Sequence, residues 1–146
     1  MSRPHQLETL IGYHLRRASS LMMSDLAERL AELGLRTTEA SILVVLEAET
    51  LITQSEIGRR LAIKRANMAP LIAGLTTRAL VERTEGAGPS KPLRLSHKGK
   101  LLAAKARTAM DEHEAVHFGR LSPAEREMLR SILDSLWRQP KGNSPI

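Results

Sequence analysis

A chain of 146 residues, 42% of them hydrophobic, has the length and apolar content for one compact domain with a buried core, which excludes an intrinsically disordered protein. No apolar run reaches the roughly 18 residues that span a bilayer, and MSRPHQLETL at the start lacks a secretory apolar core. Cysteine is absent, which excludes disulfides, iron–sulfur clusters and thiol sensing. A cytoplasmic location follows as the expectation, and nothing in the residues calls for a cofactor.

From about Pro4 to Leu33 the apolar residues Leu7, Ile11, Leu15, Ala18, Met22, Leu26, Leu30 and Leu33 recur every three or four positions. That spacing predicts one long amphipathic helix, closed by Gly34. Thr37 or Thr38 starts a second helix, TTEASILVVLEAE, apolar nearly all round and therefore expected to be buried. Thr53 and Glu56 have the spacing of a capping box for a short third helix, with Ile57 and Leu61 facing its core and Ile63 plugging the following turn.

A fourth helix places Met68, Leu71, Ile72 and Leu75 on one face and Arg65, Ala66, Asn67, Ala69, Pro70 and Ala73 on the other. Pro70 in its interior predicts a kink, because proline removes a backbone hydrogen bond and clashes with the preceding turn. Val81–Thr84 and Pro92–Leu95 alternate as two short strands around the Gly/Pro-rich EGAGPSK. Ser96 caps a long fifth helix reaching about Phe118. Ser122-Pro123-Ala124-Glu125 opens a sixth, expected to bury Leu129, Ile132, Leu133 and Leu136 and to end near Trp137, before a frayed tail at 139–146.

The net charge of +6 is concentrated in this middle section. Residues 54–100 hold 10 Lys/Arg against 3 acids, whereas the rest of the chain holds 12 against 13. Helix, tight turn, helix and a two-stranded wing, carrying the basic charge, predict a winged helix-turn-helix over about residues 37–96 that binds double-stranded DNA. The three aromatics, Tyr13, Phe118 and Trp137, lie outside this segment, which argues against stacking on single strands.

Arg65 and Asn67 are the polar base readers, since Arg pairs with guanine and Asn with adenine, while Ala66, Ala69 and Pro70 suit thymine methyls. A phosphate contact or a salt bridge at the helix start is the plainer role for Arg65. Gln54 and Ser55 are expected phosphate contacts. Lys64 at the turn and Ser90, Lys91 and Arg94 at the wing complete the expected DNA-contacting set. The outer helices, about 4–33 and 97–138, each carry an apolar stripe; they cover one another within a chain or, the sharper reading, pair with a second copy.

Several motifs together resemble the MarR family of bacterial transcription regulators: Leu30-x-x-Leu33-Gly34-Leu35, Thr53-Gln54-Ser55-Glu56-Ile57 with Leu61, Ile63-Lys64-Arg65, and Arg78-Ala79-Leu80-Val81-Glu82-Arg83. Leu95-Ser96-x-x-Gly99 and Leu121-Ser122-x-x-Glu125-Arg126 extend the likeness over nearly the whole chain. The resemblance implies a mainly α, single-domain winged helix-turn-helix with N- and C-terminal dimerisation helices. It also implies a homodimer that represses from a pseudo-palindromic operator and leaves it when a small molecule, often an aromatic acid, binds. Two features depart from the family pattern. The wing tip Gly86-Ala87-Gly88-Pro89-Ser90-Lys91 lacks the arginine that many members insert in the minor groove, and Ala69-Pro70 stands where Ser-Arg is commoner.

The family's effector pocket lies between the dimer layer and the reader, which points to Ile11, His14, Arg17, Ser41 and His113. Arg17 would hold a carboxylate, with His14 or Ser41 orienting it; a solvated arginine and a satisfied histidine are the plainer roles. His113-Glu114-Ala115-Val116-His117 matches the zinc-peptidase pattern, but the extended ligand set is missing and the motif follows a DNA reader, so no enzyme and no metal are assigned. A metal-responsive regulator using His113 and His117 stays open beside simple packing of both. Further alternatives are an architectural DNA-binding protein without an effector, and an interaction module that no longer reads DNA.

Overall fold

Among the described residues, 6–85 and 90–138 of a computed structural model, six α-helices and a two-stranded ribbon follow the expected order. They are α1 (Ile11–Ala31), α2 (Thr37–Ala48), α3 (Gln54–Arg60), α4 (Arg65–Thr77), β1 (Val81–Arg83), β2 (Leu93–Leu95), α5 (His97–Phe118) and α6 (Pro123–Trp137). The fold is mainly α, a winged helix-turn-helix flanked by N- and C-terminal helices. The chain divides into two compact units, 1–113 and 114–146.

In the first unit the core gathers Leu30 of α1, Ile42, Leu43 and Leu46 of α2, Ile57 of α3, Met68, Ile72 and Leu75 of α4, and Leu93 of β2. Burying each such side chain stabilises the fold by about 1.5–3 kcal/mol. α2 is the central helix, as its all-round apolar sequence requires. α3 begins in the expected capping box: Glu56 N–H donates to Thr53 Oγ1 at 3.3 Å, and Thr53 N–H donates to the Glu56 carboxylate at 2.8 Å.

α3 and α4 both end in left-handed alanines, Ala62 (φ 54°) and Ala79 (φ 56°), where glycine is usual. The i→i−5 bonds Ile63 N–H to Gly58 O (2.9 Å) and Leu80 N–H to Leu75 O (3.0 Å) hold these turns closed against a cost of about 1–2 kcal/mol each.

β1 and β2 are antiparallel in the register Val81–Leu95, Glu82–Arg94, Arg83–Leu93. Val81, Leu93 and Leu95 point into the core, while Glu82 and Arg94 face out as a directly opposed pair. The ribbon is anchored by Leu93 N–H donating to Ile52 O at 2.8 Å, a bridge outside the predicted strands. Gly86 to Pro89 of the predicted wing tip lie outside the described residues, as do Pro4, where the first helix was to start, and the tail at 139–146.

Two expectations need correction. The first helix is not continuous from the N-terminus. Gln6–Thr9 forms a separate 3-10 turn, closed by Thr9 Oγ1 donating to Gln6 O, and α1 starts only after the extended Leu10. In the second unit α6 has its capping box, with Ser122 N–H to Glu125 at 2.7 Å and Glu125 N–H to Ser122 Oγ at 3.2 Å. Yet it buries none of its apolar stripe: Leu129 and Leu133 are half-buried, and Ile132 and Leu136 are exposed. A stripe spaced three and four residues apart identifies a shared face, but the described part of this unit holds too little mass to cover it.

The capping carboxylates of Glu56 and Glu125 are held below the ordinary carboxylate range, chiefly by backbone hydrogen bonds from Thr53 and Ser122. Their contribution is therefore present above the unfolded ionisation range and fades as the pH falls through the lowered values.

Candidate nucleic-acid interface

The reader is built on a close approach. A Cβ at Gly58 would lie 3.1 Å from Met68 Cγ and 3.3 Å from Ile63 O, so α3 can lie against α4 at this distance because residue 58 has no side chain. Met68 is buried beneath it, which settles its role as core rather than reader. The opposite face of α4 presents Arg65, Ala66, Asn67, Ala69 and Pro70, all exposed. The helix runs unbroken through Pro70. This face has the shape and chemistry for the major groove, where two polar readers flanked by small apolar groups can meet base edges and methyls.

Between α3 and α4 lies a cavity of about 410 Å³. Its lining includes Ser55, buried Gly58 and Met68, half-buried Ile63, and exposed Arg59, Lys64 and Arg65, with no acidic side chain. Among the described residues these three cations form no ion pair. Other basic residues of the segment are engaged. Arg60 pairs with Glu49, Arg94 with Glu82 at 3.1 Å, and Arg78 reaches Glu39 at 3.4 Å and Gly34 O at 2.9 Å, while Lys98 donates to Arg78 O at 3.1 Å. Exposed pairs of this kind contribute about 0–1 kcal/mol, so a phosphate can still win Arg94 from Glu82.

Gln54, the other predicted phosphate contact of α3, lines the same cavity. It is buried, and its Oε1 accepts from Arg83 Nη2 at 3.0 Å, which ties the start of α3 to β1. Ser55 is exposed as expected, as are Ser90 and Lys91. No motif marks Arg59 beyond its charge, but its position two residues before the α3–α4 turn puts it beside Lys64 and Arg65. Arg83 was also missed; its partner is 29 residues away, and no local spacing signals such a pair.

The five predicted effector residues lie in the first unit in unlike settings. Ile11, His14 and Arg17 are exposed on α1, and His14 Nε2 sits 2.8 Å from Glu8 O. Ser41 Oγ donates to Thr37 O at 3.0 Å and lines a 130 Å³ cavity with Thr37, Thr38, Leu61 and Ile63, without the other four. His113 is buried, with Nε2 2.9 Å from Met22 O and 3.8 Å from Asp25 Oδ2. A carbonyl only accepts, so Nε2 carries the proton in that bond, which joins α5 to α1.

Comparison with known proteins agrees with this geometry. A MarR-family model matches residues 33–90, which cover α2, the reader and the start of the wing. The transcriptional repressor CouR bound to a 23-mer DNA duplex is 28% identical over 94% of this chain and 99% of its own, with a TM-score of 0.82. CouR bound to p-coumaroyl-CoA is 29% identical over 96% and 100%, with a TM-score of 0.79. A probable transcriptional regulator from Pseudomonas aeruginosa is 27% identical over 90% and 99%, with a TM-score of 0.76. No curated protein matches the chain. The family model over the reader and the likeness over nearly the full length, with the exposed α4 face between them, make this chain similar to the MarR family of DNA-binding transcription regulators.

Proposed function

We propose that the chain acts as a single MarR-like domain in a homodimeric repressor, without enzymatic activity, that holds a pseudo-palindromic operator and releases it to a small effector. The observation that carries this is the exposed α4 face of Arg65, Ala66, Asn67, Ala69 and Pro70, with Arg59 and Lys64 exposed beside it. A two-fold dimer presents two such faces about 34–36 Å apart, one turn of duplex. The likeness to CouR, with its DNA-bound and p-coumaroyl-CoA-bound forms, supports an effector that is an aromatic acid or its acyl thioester. An effector coupled to DNA by about 1–3 kcal/mol lowers affinity roughly 5–150-fold.

The test is an anisotropy titration against DNA from upstream of the protein's own gene, beside scrambled DNA of equal length. Binding at least about 10³-fold tighter to the former, relieved by an aryl acid or aryl-CoA, is the expected result. Equal, salt-sensitive binding to both would instead establish an architectural protein.

Two further results are expected in the same assay. Asn67→Ala should relax preference at one base pair of each half-site by about 1–3 kcal/mol while leaving the others intact; an unchanged base preference would remove Asn67 from the readout. If His113 and His117 are packing residues, as the bond between His113 Nε2 and the Met22 carbonyl supports, EDTA should leave operator affinity unchanged. A chelator-sensitive complex would instead make the protein a metal-responsive regulator.

A further inference from the structure

A separate cavity of about 250 Å³ lies between the end of α5 and α6, wholly within the second unit. Its floor is Phe118, Leu129 and Leu133, all half-buried, and its rim is Glu114, Arg126 and Arg130, all exposed. Helical period places Arg126, Leu129, Arg130 and Leu133 on one face of α6, different from the face of Met128, Ile132 and Leu136. Arg130 is engaged by Glu127. Among the described residues Glu114 and Arg126 form no ion pair, although both line this one small cavity.

A free acid and a free base beside one apolar floor set two demands that no singly charged ligand meets. An apolar acid answers Arg126 but is repelled by Glu114, and an apolar amine does the reverse. A bare hydrocarbon covers the floor and leaves both charges beside a dry surface. The volume lies just below the range of drug-sized sites, so the occupant is smaller than those ligands. An α-amino acid carries an anion, a cation and an apolar branch on a single carbon, and it has that size.

We infer that this cavity binds a free α-amino acid with a large aliphatic side chain. The carboxylate accepts from the Arg126 guanidinium, the ammonium donates to the Glu114 carboxylate, and the side chain lies on Phe118, Leu129 and Leu133. The site lies outside the reader and needs no DNA, so it stands or falls independently of the repressor reading.

The test is a calorimetric titration of L-leucine into the full chain without DNA. Saturable binding of one leucine per chain is expected. Two analogues that each lack one charge probe the rim: 4-methylpentanoate has no ammonium and 3-methylbutylamine has no carboxylate. Each should bind at least about tenfold more weakly, having lost one charge-assisted contact. Arg126→Gln and Glu114→Gln should each weaken leucine about tenfold or more, with Arg120→Gln unchanged. Both side chains are exposed, so helix content should survive either change.

No saturable leucine binding up to about 10 mM overturns the inference, as does either analogue binding as tightly as leucine. So does a leucine affinity that Arg126→Gln or Glu114→Gln leaves unchanged, or that Arg120→Gln lowers equally. If a substitution unfolds the second unit, the analogue comparison on the unaltered chain decides alone.

Discussion

Gly99→Ala is expected to destabilise the chain by about 3 kcal/mol or more, seen as a fall of roughly 10 °C in Tm followed by circular dichroism. A Cβ at this position would lie 2.0 Å from Leu80 O and 2.9 Å from Leu80 C, and neither is the movable end of a side chain. Leu80 is buried and follows the left-handed Ala79, so its carbonyl is fixed from both sides. Ser96 closes the junction: its N–H donates to Leu80 O at 3.1 Å, its hydroxyl donates to Ala79 O at 2.6 Å, and Gly99 N–H donates to Ser96 Oγ at 2.9 Å. Accommodating one methyl group means lifting the first turn of α5 away from the α4–β1 junction, which breaks this set and loosens the seat of the ribbon. Ser96→Ala removes the cap without adding bulk and should cost about 1 kcal/mol. Equal melting temperatures for Gly99→Ala and wild type would show that α5 moves away freely.

The features legible in the sequence are those set by short-range chemistry. Thr53 and Glu56, and Ser122 with Pro123 and Glu125, carry their capping boxes within three residues, so each helix start follows from spacing alone. The largely apolar α2 and the inward face of α4 follow from helical period and burial, and Met68 lands in the core accordingly. The start of α1 was not legible, because Thr9 folding back on Gln6 competes with a pattern that is equally apolar on both sides of Leu10. Contacts between distant residues were not legible either. Gln54 looks like a surface amide until Arg83 meets it, and Ile52 looks like loop until Leu93 pairs with it. Within the candidate site, period and charge located the α4 face, whereas the cavity beside it comes from a close approach at Gly58 that a single glycine in a sequence does not announce.

Replacing both Ile132 and Leu136 with glutamate should convert the protein from two chains to one in light scattering, with helix content retained. On α6 Met128, Ile132 and Leu136 are spaced four residues apart, and Ile132 and Leu136 are 50% and 53% exposed, with Trp137 at 67%. α1 carries its own uncovered apolar residues, among them Leu15, Leu21 and Met23, and Ile11 is 83% exposed. Single exposed leucines need no explanation, but two helices that each leave a periodic stripe in water do. Covering each such side chain with a second copy contributes about 1.5–3 kcal/mol, and a glutamate in its place must be desolvated at greater cost. A monomer holds one half-site at a time, so operator affinity should fall by about 10² or more as the second reader loses its tether. Binding to scrambled DNA should fall far less. Ile11→Glu tests the α1 stripe in the same way. A monomeric wild type, or a double variant that remains dimeric, would refute pairing through α6. A monomeric variant with full operator affinity would mean that each chain reads DNA alone and that pairing serves something other than recognition.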